Sequence, residues 1–157
     1  MKMQSKNKKI INATPVVSAN ISFRSKTEER VYKKLLSLGY SPKYEEKTFV
    51  IWDGFRPTKP WYIDGEPQII KSGESMKLLD WKYTPDFILE KNGYTIILEV
   101  KGESNDVYPY KRKLFLKLLE SLDKTYFFEV HTIRGLVKSL ETIEQLWAQT
   151  PCQPSKA

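Results

Sequence analysis

Cysteine and histidine are nearly missing from this chain, and each shortage removes a class of chemistry. The sole cysteine, Cys152, lies in a Pro-rich tail, so neither an internal disulfide nor a cysteine-cluster zinc site can form. His131 is the only histidine, which leaves no second imidazole for a metal pair, and it reads as a structural residue on a strand. No apolar run approaches the ~18 residues that a membrane span requires, so no membrane partner is expected. The opening "MKMQSKNKKIINATPVVSANIS" is basic but lacks the continuous apolar stretch of a secretory signal. With no disulfide possible, an intracellular location is expected. Internal repeats and long low-complexity tracts are also missing.

What is present fits one soluble domain: 157 residues, 40% hydrophobic and 29% charged. Lys and Arg number 26 against 19 Asp and Glu, a net charge of +7. That balance favours an anionic partner such as nucleic acid, with plain solubilising charge as the alternative. Residues 1–21 read as a flexible basic arm, 22–148 as the folded domain and 149–157 as a loose tail.

The spacing of Val31, Leu35 and Leu38 predicts a helix from Ser25 that stops at Gly39. "KYEEKTFVIW" (43–52) predicts a strand, and "WYIDGEPQII" (61–70) a hairpin around Asp64-Gly65. Asn92-Gly93 predicts a second hairpin, joining "DFILE" to "YTIILEVKG" as antiparallel neighbours. A helix through Phe115, Leu118 and Leu122 follows, then the strand "YFFEVHT" and a last helix through Leu136, Leu140, Ile143 and Trp147. This order of elements predicts an α/β fold, a sheet flanked by helices.

Within the second hairpin, alternation puts Glu99 and Lys101 on one face, and pairing across the turn brings Asp86 beside Glu99. Two such carboxylates would repel and resist burial without a cation, at several kcal/mol per ion by a rough estimate. Hard oxygen ligands suit Mg²⁺, with Mn²⁺ as a substitute, and Lys101 would position a water or stabilise charge on a phosphate. The triplet acid-x-Lys also occurs as "EEK" (45–47) and "DWK" (80–82), but only "EVK" (99–101) ends an apolar strand and precedes a glycine. An exposed Glu-Lys pair on an edge strand remains the alternative. Glu28 shares the buried stripe of the first helix and is a candidate for the same site, although Ser25-x-x-Glu28 is also a capping box. Lys111, Arg112 and Lys113 start the second helix, where the macrodipole prefers acids, so an external anion such as DNA phosphate is one explanation and a solvated basic face the other. Aromatics among basic residues in 52–83 suit stacking on bases, but packing is the expected use.

"FRSKTEERVYKKLLSLG", "TPDF" and "EVKG", in that order before a basic helix, resemble the PD-(D/E)XK nuclease superfamily, and more narrowly the small phage endonucleases of the endonuclease I and Holliday-junction-resolvase type. The resemblance spans about residues 23–131. It implies a restriction-endonuclease-like core with a mixed central sheet, and Mg²⁺-dependent hydrolysis of DNA. It makes Asp86 and Glu99 the metal-binding acids, Lys101 the signature lysine and Glu28 the helix acid that completes the site. Lys111, Arg112, Lys113, Arg24 and Lys26 are the expected DNA contacts. Four-way junctions or other branched DNA, a homodimer and, for a phage-encoded protein, the bacterial host cytoplasm follow from the same likeness. Residues 51–79 form an insertion relative to phage endonuclease I, which bears on junction selectivity. The rivals are a nuclease that needs a targeting partner, as transposase-type enzymes do, and a catalytically inactive DNA-binding module.

Overall fold

A computed structural model of the chain describes residues 14–18, 20–70, 72–102 and 107–148. It runs β1 (Val16–Ser18), β2 (Ile21–Phe23), α1 (Lys26–Ser37), β3 (Lys43–Tyr44), β4 (Phe49–Trp52), β5 (Tyr62–Ile63) and β6 (Glu66–Pro67). It continues through β7 (Trp81–Tyr83), β8 (Phe87–Lys91), β9 (Tyr94–Val100), α2 (Tyr108–Leu119), β10 (Thr125–Val130) and α3 (Ile133–Ala148).

Asn92 and Gly93 take positive φ angles of 54° and 77°, the pattern of a hairpin turn whose twist matches its strands. β8 and β9 therefore pair antiparallel, Phe87 opposite Leu98 and Ile88 opposite Ile97. β10 returns across α2 and lies parallel to β9, with Glu129 opposite Glu99 and Val130 opposite Val100. β3 closes the other edge, so the sheet order is β10-β9-β8-β3 and the sheet is mixed.

Both faces of this sheet are covered, which is why β9 reads as a nearly unbroken apolar run. On one face Phe87, Leu89, Ile96, Leu98 and Val100 pack with Val31 and Leu35 of α1 and Leu136, Leu140 and Ile143 of α3. On the other, Ile97 packs with Phe115 and Tyr108 of α2 and with Phe49, Ile51 and Tyr83 of the β4–β7 ribbon. Each fully buried Leu, Ile or Phe stabilises the fold by about 1.5–3 kcal/mol.

Three expectations need correction. Residues 43–52 are not one strand: Glu45 has φ +45°, and the turn there sends β3 into the central sheet and β4 into a separate ribbon with β7. The aromatics of 52–83 are largely not packed, since Trp52, Phe55, Tyr62 and Trp81 are exposed. A two-stranded ribbon has one covered face, and Phe49, Ile51 and Tyr83 take it. Part of the segment expected as an arm, Val16–Ser18, pairs with β2, while residues 1–13 and 149–157 lie outside the described residues. Among the described residues no helix is long and apolar enough to cross a membrane.

Candidate active site

One step beyond the Phe87–Leu98 pair, Asp86 comes opposite Glu99 where β8 begins and β9 ends. Both side chains are buried, 2% and 3% exposed. They are tied into one hydrogen-bonded unit: the Val100 amide donates to Asp86 Oδ2 at 2.7 Å, and the Asp86 amide donates to Glu99 Oε2 at 3.3 Å. The Tyr83 hydroxyl donates to the same Glu99 oxygen at 2.7 Å. Burial together with the charge of Glu99 pushes the Asp86 carboxyl up to about 7; the Val100 hydrogen bond opposes the shift, Glu28 adds to it and Arg24 opposes it. Burial and the neighbouring Glu99 also raise the Tyr83 phenol well above its ordinary value, so it stays a hydrogen-bond donor.

Lys101 follows β9 and turns back to Glu99 Oε1 at 2.6 Å, with its ammonium 4.2 Å from the centroid of the Tyr108 ring. Glu28 arrives from the first turn of α1, 7% exposed. The capping reading of this residue is realised: Ser25 is the N-cap, and its Oγ accepts from the Glu28 amide at 3.2 Å. The Glu28 carboxylate is also bound by the Ser25 hydroxyl at 2.8 Å, the Tyr44 hydroxyl at 2.6 Å and the Arg24 amide at 3.1 Å. Cap and site are thus the same side chain.

Arg24, expected as a DNA contact, instead bridges acids. Its Nη2 donates to Asp86 Oδ1 at 2.5 Å and its Nε lies 2.7 Å from Glu45 Oε1. Partial burial disfavours its cation, but Asp86 and Glu45 outweigh that and hold its pKa above the ordinary arginine value. Arg112 differs in the same way, since its guanidinium pairs with Glu129 Oε2 at 2.9 Å, an anion supplied inside the molecule. Lys26 and Lys113 are exposed, and Lys111 is half-buried.

Glu129 was missed by sequence reasoning. Beyond Arg112 it accepts from the Tyr108 hydroxyl at 2.7 Å and lies 3.0 Å from His131 Nε2. The signal available was the recurrence of Glu-Val-base: "EVK" ends β9 and "EVH" ends β10, and the parallel register sets the two triplets side by side. Glu45, Tyr44, Tyr83 and Tyr108 had no such signal, because each reaches the site only through tertiary packing.

The donors around Asp86 and Glu99 are hard oxygens, and burial together with the charge of Glu99 disfavours the Asp86 carboxylate, which a cation would offset, so the donor set suits a divalent ion. As the side chains stand, Arg24 and Lys101 provide that positive charge, and among the described residues no three His, Cys, Asp or Glu are grouped to hold a metal. Among curated proteins no match is found. Residues 7–135 match a family described as proteins of unknown function, and the chain belongs to that family, DUF1064.

Proposed function

We propose that this chain is a metal-dependent DNA endonuclease of the PD-(D/E)XK type with a restriction-endonuclease-like core, acting on branched DNA such as four-way junctions. The reading is carried by one observation: Asp86, Glu99 and Lys101 meet at the shared end of two antiparallel strands, with Glu28 joining them from α1. Asp86 Oδ1 and Glu99 Oε1, the oxygens now facing Arg24 and Lys101, are the ones that would hold Mg²⁺ or Mn²⁺. When bound, such an ion makes water a stronger acid and neutralises charge building on a phosphate. Tyr83 and the Val100 amide fix the orientation of the two acids. Lys101, with three donors and its ammonium over the Tyr108 ring, holds a water or a phosphate oxygen beside Glu99. Glu28, whose oxygens already accept from Ser25, Tyr44 and the Arg24 amide, acts by charge or through a water. Paired cuts across a junction need two such sites, hence a homodimer.

The test is a panel of four-way junction, flap and linear duplex DNA, each with and without Mg²⁺. Cleavage that needs the ion is expected, and Asp86→Asn, Glu99→Gln and Lys101→Ala should each slow it by about a hundredfold or more while DNA still binds. A correctly folded protein that cuts nothing in the panel would remove the reading. The inactive DNA-binding module is favoured by a different observation, the pairing of Asp86 with Arg24 and Glu99 with Lys101; it predicts salt-dependent binding that Mg²⁺ does not alter. The exposed Trp52, Phe55, Tyr62 and Trp81 of the 51–79 insertion and its flanks suit the partner-dependent form, for which cleavage would appear only after a second protein is added.

A further inference from the structure

Arg24 occupies a position at odds with a simple surface ion pair. It lies between the end of β2 and the N-cap of α1, where its own amide is held by Glu28 Oε2 and by the Tyr44 hydroxyl, each at 3.1 Å. The backbone is therefore pinned, while the side chain is 56% exposed and reaches over the buried Asp86 from the solvent side. One end of the guanidinium grips Asp86 Oδ1, and its Nε is steadied by Glu45 at the turn after β3. Of the two Asp86 oxygens, Oδ2 is fixed by the Val100 amide, so Oδ1 is the one left to exchange partners.

We propose that Arg24 is a built-in counter-cation that competes with the divalent ion for Asp86, so that ion binding requires Arg24 to swing out to solvent. The inference rests on the metal-dependent reading given above. The physical reason is crowding of positive charge. A divalent ion bound at about 2.1 Å from the oxygen would stand within a few ångströms of the guanidinium that already holds it. Arg24 can leave because its side chain is more than half exposed, its partly buried cation regains water on leaving, and its anchor Glu45 is itself one-third exposed. In the absence of the ion the contact keeps Asp86 compensated and oriented. Once displaced, the same cation projects into solvent beside the acids, where a phosphate backbone would pass.

The experiment is calorimetric titration of the full-length protein with Mn²⁺ under oxygen-free conditions, every variant at the same pH, with circular dichroism to verify folding. If the Arg24-paired state holds about nine-tenths of the molecules, Arg24→Gln tightens Mn²⁺ about tenfold. Arg24→Lys keeps the charge but cannot bridge Asp86 and Glu45 together, so it tightens the ion by a few-fold. Glu45→Gln, which leaves Arg24 and all the site acids intact, does the same and serves if the Arg24 variants fail to fold. Tightening in Arg24→Gln with none in Arg24→Lys would show a loss of charge alone and overturn the exchange. A wild type that binds Mn²⁺ no more weakly than folded Arg24→Gln or Glu45→Gln also overturns it, while the metal-dependent reading stands. If no protein in the set binds Mn²⁺, both fall together.

Discussion

Asp86 carries the clearest consequence for pH. Its carboxyl rises from 3.8 to about 7 on folding, because burial and Glu99 disfavour the charged form. Between those values the folded state binds more protons than the unfolded chain, so the contribution of Asp86 to stability is full below about 3.8 and is lost as pH rises through about 7. Without divalent ions the melting temperature should therefore fall across this window. Asp86→Asn should flatten the fall and raise the midpoint above pH 7 by about 3 °C, which corresponds to roughly 1 kcal/mol. In the proposed metal-dependent reading, adding Mg²⁺ should recover the loss in the wild type and leave Asp86→Asn unchanged. Differential scanning fluorimetry across pH checks all of this. Glu129 invites a second substitution. Glu129→Ala removes the acceptor of Tyr108 and the partner of Arg112, and should cost about 1–3 kcal/mol in urea unfolding. At this scale the sequence disclosed the acids and the lysine through their place after Pro85 and at the end of an apolar run. It did not disclose Arg24 as the partner of Asp86, since that contact joins residues 62 apart and depends on how α1 docks.

Elements with strong local signals were the legible ones. The turn at Asn92-Gly93, the cap at Ser25 and the stop at Gly39 need only the backbone preferences of a few residues, and α1, β8, β9 and α3 fall close to where periodicity puts them. The division of 43–52 between two sheets was hidden, because Glu45 in the left-handed region has no glycine to announce it. The parallel partner of β9 was hidden as well, since α2 separates the two strands and no turn links them. The β4–β7 ribbon depends on a close approach at Gly54, where a Cβ would come within 2.5 Å of the Leu78 carbonyl oxygen and 2.8 Å of the Asp80 amide. Gly54→Ala should therefore open the ribbon around the Phe55–Leu78 bridge, seen as faster proteolysis within 55–79 with little change in the main melting transition. By contrast Phe115→Ala, which empties the middle of the α2 face where Phe49 meets the ring edge-on and Tyr83 packs at a tilt, should lower global stability by about 3–5 kcal/mol.

For the whole molecule, the proposed DNA-binding reading together with the net charge of +7 predicts an affinity that falls steeply with salt. Lys113→Ala and Lys26→Ala should each lessen the slope of log affinity against log salt by about 0.9, measured by fluorescence anisotropy on duplex DNA. Arg112→Ala should lessen it by less, because Glu129 already matches that cation. A sheet flanked by helices was legible from the order of elements, whereas its mixed character and the covered and bare sides of the ribbon were not, because strand direction across a helix and exposure are decided by what packs nearby. The wide sequence separation of the groups around Asp86 has one more consequence. Arg24 and Glu28 leave the ribosome well before Asp86, and β9 must be in place before Glu99 and Lys101 can face them. A nascent or partly unfolded chain therefore has no assembled centre, so in the proposed reading hydrolysis begins only after tertiary folding, and a truncated product ending before β9 would be harmless to the genome of its cell.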